Sequence, residues 1–295
     1  MKKNTYDIVI IGNYTKDTII SSSGTRTVDG GGFNYGACVA AMMGLKVAAI
    51  TRLAKEDKHV VDALKKKGVA VFPFYSPKST LMQLFYPTSN VDQRVLTVKS
   101  VADPFTKAQV RDMEAKAFLL NASIRGELSL EVLKELRKKD ALIAADLQGF
   151  IRVVAPDGTL HNAEWEEKLE VLPLIDVLKT DAGEGEFLTG ETDIRVQARM
   201  IHELGPKEIV LSHRNGILVF ADGQYYEAPF SYNKLVGRSG RGDTCISSYI
   251  CKRLSASAKE STIWSAAVTS LKMEAEGPIR REIEEVEDHI LKNYQ

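Results

Sequence analysis

Val236-Gly-Arg-Ser-Gly-Arg-Gly-Asp243-Thr-Cys-Ile-Ser-Ser-Tyr-Ile250 puts three glycines within six residues, then a carboxylate, then a helix-like run. Glycine has no Cβ, so such a turn leaves backbone N–H groups clustered and uncovered. A helix starting there adds the positive end of its dipole. Together they suit an anion such as a phosphate oxygen. A carboxylate at the lip of an anion site is unfavourable unless it has a task. Accepting a proton from a hydroxyl that attacks phosphorus is such a task. The competing reading is a glycine turn ahead of a helix, with Asp243 as N-cap. The stretch does not match G-x-x-x-x-G-K-[ST], so it is not a Walker-type loop.

Outward from that stretch, composition sets the bounds. The 295 residues suffice for one large α/β domain or two small ones. Lys plus Arg (39) balance Asp plus Glu (39), which argues against a general nucleic-acid or acidic-membrane binder. Cys38, Cys245 and Cys251 are few, odd in number and without metal-ligand spacing. They read as thiols of a reducing compartment. Met1-Lys-Lys imitates the start of a signal peptide, but the apolar run Ile8 to Ile11 is too short for one. No segment is long and apolar enough to span a bilayer. A cytoplasmic protein is the expectation.

Tyr6 to Gly12 reads as a buried central strand. Asn13-Tyr-Thr-Lys-Asp17 follows at the edge where open α/β sheets place ligands. Thr18 to Val28 reads as a pair of short strands outside the main sheet. Asp29-Gly-Gly-Gly-Phe-Asn-Tyr-Gly-Ala37 leads into a helix over Ala37 to Met43, closed by Gly44. Its triple glycine is either a close-approach backbone or a flexible turn. Leu81 to Val101 reads as a hairpin with its turn at Pro87 to Asp92. From Phe118 onward strand and helix alternate, which calls for parallel strands with crossover helices. Asp146-Leu-Gln148-Gly-Phe-Ile-Arg152 stands at one strand end, and Lys179-Thr-Asp181-Ala-Gly-Glu184 at the next. Both admit a plain structural reading, as a solvated strand end and as a helix start with acids near its positive end. No repeat or low-complexity linker divides the chain, which reads as a single domain over 1–295 with a lid from about 13–29 and 80–101.

Ser239-Gly-Arg-Gly-Asp243 resembles the Thr-Gly-Ala-Gly-Asp signature of the ribokinase-like (PfkB-type) carbohydrate kinases. The resemblance implies an α/β ribokinase-like three-layer sandwich: a central, mostly parallel sheet flanked by helices, plus a small β lid. It implies that the backbone of Gly240, Arg241 and Gly242 forms an anion hole for the transferred phosphoryl group, with Asp243 as catalytic base. Two departures stand out. Gly237 and Arg238 replace the Asp and Thr that usually open the motif, and Arg241 replaces a small Ala. Arg241 either contacts phosphate, the arrangement favoured slightly, or turns into solvent.

Further matches extend the resemblance along the chain. The glycine run is similar to the family's Gly-Gly motif for sugar hydroxyls, which makes Asp17, Gly31, Gly32 and Asn34 acceptor ligands. The Asn of that motif is out of register here. Gly36 holds its place if Gly31 and Gly32 are the pair, and Asn34 comes one residue early if Gly30 and Gly31 are. Asp146 to Arg152 is similar to a family string that adds Gln148 and Arg152 to the acceptor site. Asp181 and Glu184 resemble the Asn-x-x-Glu motif that organises Mg²⁺ and phosphates through water; oxygen ligands suit that hard cation. Ser212 and Gly216 fall where the family borders the nucleotide, and the helix Trp264 to Met273 falls where it packs beside adenine.

The implied function is an ATP- and Mg²⁺-dependent small-molecule kinase acting on a hydroxyl of a sugar or cyclitol. Gly12 to Asp17, the glycine run and Asp146 to Arg152 look most like myo-inositol kinases. A nucleoside kinase would share every catalytic part. The altered Gly237-Arg-Ser-Gly-Arg241 stretch motivates a third reading, a non-catalytic metabolite sensor on the kinase fold. A dinucleotide-binding oxidoreductase is disfavoured, because no G-x-G-x-x-G follows the first strand. The implied partners are a small-molecule substrate and a second copy of the chain through the lid, with neither nucleic acid nor membrane.

Overall fold

The computed structural model describes residues 5–22, 24–88 and 93–294. Most of the turn expected at Pro87 to Asp92 lies outside the described residues, as do Ser23 and Met1-Lys-Lys. The strands in chain order are β1 (Thr5–Ile11), β2 (Thr15–Ser21), β3 (Gly24–Gly30), β4 (Val47–Leu53), β5 (Ala70–Tyr75), β6 (Thr80–Phe85), β7 (Val95–Ser100) and β8 (Glu114–Leu120). After them come β9 (Leu142–Asp146), β10 (Arg152–Val154), β11 (Leu160–Asn162), β12 (Val177–Asp181), β13 (Glu208–Ser212), β14 (Gly216–Ala221) and β15 (Gln224–Pro229).

The main sheet has nine strands in the order β15-β14-β13-β12-β9-β8-β1-β4-β5. Its strands all run in one direction except β14, which pairs antiparallel with both β13 and β15. Its centre is apolar on both faces, as a parallel strand covered by helices must be. In β1, Ile8 and Ile10 enter one core cluster while Val9 and Ile11 enter the other. This is the two-residue alternation of a strand expressed as two layers. The chain builds β4 and β5 outward on one side of β1, then returns to build β8, β9, β12 and β13 on the other. The β1–β8 junction is therefore a topological switch point, and ligands gather at the C-terminal strand ends beside such a junction.

A four-stranded sheet, β3-β2-β6-β7, forms the lid. β2 pairs antiparallel with β3 and parallel with β6. Ile19, Met82, Leu84 and Val98 form its apolar underside with Ile124 of the main body. Polar ties anchor it. Buried Asp57 accepts from Lys16 at 3.0 Å and from Ser79 at 2.6 Å, and Arg26 of β3 pairs with Glu276.

Two boundaries differ from the sequence reading. The first helix spans Gly32–Met42, with Gly31 as N-cap at φ 91°. The glycine run thus opens the helix and does not precede it. Its glycines are tolerated there because neighbours press close: a Cβ on Gly32 would strike the Asn121 side chain, and one on Gly36 would lie 2.6 Å from Ser247 Oγ. Asp17 does not sit in a loop after β1. β2 begins at Thr15 and carries Asp17 in the lid sheet, opposite Val28 and Met82.

The helix Arg241–Arg253 packs on the helix Ala258–Met273 through small and hydroxyl side chains. Ser248 donates to Thr244 O at 2.7 Å and Ser265 to Cys245 O at 2.8 Å. Hydroxyls paired with main-chain carbonyls in this way let two helices approach closely at those positions. That packing fixes where the glycine turn at 237–242 points.

Candidate active site

A cavity of about 360 Å³ opens at the C-terminal edge of the main sheet, beneath the lid. Of the residues singled out from the sequence, Asp17, Gly31, Gln148, Arg152, Asp181, Ser212 and the Gly240–Asp243 turn line it. Gly32, Asn34, Glu184 and Gly216 do not. Asn34 donates to Asp29 O at 3.2 Å and borders a separate cavity with Cys38. Gly216 is buried where a Cβ would strike Ala228 O in the neighbouring strand.

The glycine turn starts its helix without a side-chain cap. Gly240 is the N-cap at φ 76°, a left-handed conformation that strains any other residue. Asp243 stands in the first turn and is not the cap. A Cβ on Gly240 would enter the Tyr35 ring, and one on Gly242 would lie 2.6 Å from Lys179 Nζ. Glycine is therefore required at both positions by close approach. Burial raises the Asp243 carboxyl above its usual range, against the lowering pull of Lys179, Arg152 and Lys272. Gln148 Nε2 reaches its Oδ1 at 3.5 Å.

Asp17 faces the cavity from the lid. Burial pushes its carboxyl up to about 6; the Thr15 hydroxyl and Arg94 oppose the rise, and the Asp243 charge adds to it. Its Oδ1 is buried without a protein partner, as are the Tyr35 hydroxyl and Ser212 Oγ, all on residues lining this cavity. Buried polar atoms in folded proteins are almost always paired, so these three await water or a ligand.

Lys179 and Asp146 stand in strand-end motifs quoted from the sequence, but neither was given a role there. A lysine inside the apolar strand Val177-Leu-Lys-Thr-Asp181 was the available signal. Its ammonium lies 3.0 Å from Asp146 and 3.8 Å from Glu184. Burial works against that charge, but the two carboxylates outweigh it and hold Lys179 protonated. Glu184 also accepts from Arg152 at 2.7 Å and from Asp181 N–H at 2.9 Å, while Asp181 accepts from Glu184 N–H at 2.8 Å. Glu184 is thus committed to two cations and to capping its own helix.

This commitment bears on a divalent metal. Among the described residues no three His, Cys, Asp or Glu side chains converge as a ligand set. Asp181 lines the cavity, and Lys179 keeps its carboxyl below the usual range despite burial. The donor set fits a hard cation met through water by Asp181; it does not fit a cage of protein ligands.

Arg238 and Arg241 line the same cavity. Burial pushes Arg238 down to about 10, helped by the charge of Arg241. The Arg241 guanidinium lies over the Phe230 ring at 5.9 Å, and burial lowers its pKa too. The site therefore offers a buried carboxylate, a backbone turn at a helix start and two partly desolvated guanidiniums. Such a site can take a proton from a hydroxyl and hold a multiply charged phosphate.

Comparison with known proteins gives the following. The model of the pfkB family of carbohydrate kinases matches residues 5–284. A pyrophosphate-dependent kinase in the ribokinase family, solved with a pyrophosphate analog and myo-inositol, is 35% identical with a TM-score of 0.88, over 95% of this chain and 99% of that one. The cytidine kinase of Thermococcus kodakarensis is 25% identical over 253 residues, 80% of this chain and 84% of that protein. The inositol 3-kinase of Arabidopsis thaliana is 25% identical over 199 residues, 62% of this chain and 52% of that protein.

Proposed function

We propose, from the premise that this chain belongs to the pfkB family of carbohydrate kinases, that it moves a phosphoryl group from inorganic pyrophosphate to a hydroxyl of myo-inositol or a closely similar cyclitol. As a member of that family it is a phosphotransferase with an alcohol group as acceptor, and its fold is ribokinase-like. The acceptor reading draws on the relative solved with myo-inositol and on a lid that meets the cavity with Asp17 beside apolar Met82, Leu84 and Leu96. A cyclitol presents both ring C–H faces and hydroxyls to such a wall.

The observation that carries the donor is the pair Arg238 and Arg241 at the glycine turn. Two guanidiniums beside backbone amides suit a compact polyanion. The positions expected to border an adenine are occupied by packing. Gly216 abuts the neighbouring strand, and Trp264 is buried with Val39 and Val268 under the Lys252 ammonium at 4.5 Å. ATP is the second reading, favoured by the unpartnered Ser212 hydroxyl at the cavity wall, where a nucleotide would also pass.

In this reading Asp17 accepts hydrogen bonds from acceptor hydroxyls, with Gln148 beside Asp243. Asp243 takes the proton of the attacking hydroxyl, and the Gly240 and Gly242 N–H groups receive the charge of the moving phosphoryl group, the Arg241 N–H being given to Arg238 O at 3.2 Å. The lid keeps out the water that would otherwise accept that group. Asp181 would hold, through water, a Mg²⁺ that would neutralise donor charge. Exposed Phe85 and Val95, opposite one another on the lid hairpin, support a homodimer through the lid, which light scattering tests.

The test is a matrix of pyrophosphate and ATP against myo-inositol, sugars and nucleosides, with products read by phosphorus NMR. Transfer from pyrophosphate to myo-inositol is the expected result. Transfer from ATP alone overturns the donor assignment, and transfer only to nucleosides overturns the acceptor. Asp243→Asn should cost roughly 10²–10⁴-fold in turnover, the usual size of a general-base effect. Near-normal turnover in that variant removes Asp243 from the role of base.

A further inference from the structure

We infer that Lys272 is a positioning residue for phosphoryl transfer, a built-in cation behind the anion-binding turn that aims the backbone amides of that turn at the donor. The inference rests on residues 238–242 being the phosphoryl cradle.

Lys272 lies in the last turn of the helix Ala258–Met273 and is 1% exposed. Its ammonium donates to Gly237 O at 2.9 Å and to Ser239 O. It also stands 5.5 Å over the Tyr35 ring, the ring against which Gly240 packs. The same helix end holds the turn from the other direction. Met273 O accepts from Val236 N–H at 2.9 Å and from Gly237 N–H at 3.1 Å. Burying an ammonium costs several kcal/mol unless other groups repay it. Here the atoms in contact are two carbonyls, and the charged groups facing it are Asp243, Glu276 and Arg241.

The consequence follows from peptide geometry. A trans peptide is planar, with its C=O and the next N–H pointing in opposite directions. Drawing the Gly237 and Ser239 carbonyls onto one ammonium turns the N–H groups of Arg238 and Gly240 the other way. Arg238 and Gly240 both line the cavity. The cation also polarises those two peptides, which strengthens the N–H donors. Lys272 touches no reacting atom in this scheme; it acts through the turn. Burial pushes its pKa down to about 8, Asp243 and Glu276 pull it up, and Arg241 lowers it further. The charge is therefore in place at neutral pH and is lost as pH rises through about 8.

The experiment compares Lys272→Met and Lys272→Arg with the wild-type protein, each checked for folding by circular dichroism. In Lys272→Met, kcat should fall about 10²-fold, the scale of a small misplacement of catalytic donors, with acceptor KM nearly unchanged. Ammonium chloride or potassium chloride should restore part of kcat, because both cations fit a nest of carbonyl oxygens. Neither salt should stimulate the wild type. Arg stays charged at every accessible pH, so Lys272→Arg should keep part of its turnover and lose the wild-type alkaline fall near pH 8. Wild-type kcat in Lys272→Met, or a folded variant whose lost turnover neither salt restores, overturns the inference. Should Lys272→Met fail to fold, the alkaline limb decides: the same limb in Lys272→Arg and wild type overturns it. A wild-type protein that transfers phosphate from no donor overturns the cradle reading instead, and the inference with it.

Discussion

Asp17→Asn is expected to make the unliganded protein more stable while weakening its grip on the acceptor. The carboxyl is buried and shifted from 3.8 to about 6, so its ionised form is disfavoured in the fold. A shift of that size corresponds to at most about 3 kcal/mol at pH 8. The sign follows from proton binding. Between the two pKa values the folded state holds a proton that the unfolded chain has released, so folding becomes more favourable as pH falls from above 6 toward 4. Asparagine never ionises and escapes the penalty at every pH. The melting temperature of Asp17→Asn should therefore exceed that of wild type by several degrees at pH 8, and the gap should close toward pH 4. Over the same range acceptor KM should rise roughly 10–100-fold, the worth of a hydrogen bond to a charged group. Donor KM should stay close to normal. Thermal melts at pH 4, 6 and 8 with a coupled assay at pH 8 measure both effects. A melting difference that is absent at pH 8, or independent of pH, refutes the buried-charge reasoning. An unchanged acceptor KM refutes the contact.

Arg241→Ala should raise donor KM and lower turnover, most clearly at low salt, since it removes a cation from the cavity wall. Unchanged kinetics in both low and high salt would leave the backbone as the whole anion site. Gly240→Ala should destabilise the protein by about 1–3 kcal/mol, from left-handed strain and a methyl group forced into Tyr35, and should depress kcat as the turn shifts. A melting curve and kcat equal to wild type would show that the turn yields at no cost.

How much of this was legible in the sequence depends on the range of the interaction that decides each feature. The parallel core was legible because runs such as Tyr6-Asp-Ile-Val-Ile-Ile11 announce burial on both faces by themselves. Asp222-Gly223 was legible and went unread. Both residues have positive φ, and they join β14 to β15 in a two-residue hairpin, as an Asp-Gly pair between apolar runs predicts. The parallel pairing of β2 with β6 was not legible, because nothing local at Thr15 or Thr80 names the other. Asn34 shows the limit of motif reading. Its side chain turns to Asp29 O because the helix begins at Gly32, and the angle between two residues on a helix cannot be read until its start is known. Lys272 is invisible for the same reason, since the carbonyl it meets lies 35 residues away; Lys179 shows as a charge inside an apolar strand, but its partner, 33 residues away, does not.

The departures from the family signature make sense as one electrostatic unit. Gly237, where the family usually has Asp, is pressed so close to Ala275 O and Glu276 Cα that a Cβ has no room. Lys179 and Arg152, on the sheet side of the cavity, have their charge offset by Asp146 and Glu184. On the turn side Asp243 and Glu276 face Lys272 and Asp181 faces Arg241, but the cations there also stand close to one another. Arg241 lowers the proton affinity of Arg238, and also opposes the charge on Lys272. Like charges held near one another in a partly desolvated pocket raise the energy of the empty site. A small anion of high charge relieves that repulsion most, because it brings several negative charges within the shortest distance. An ATP tail brings similar charge but must also seat a base, and Gly216 and Trp264 are buried in other packing. The same substitutions that weaken the match to the signature thus argue for the smaller donor.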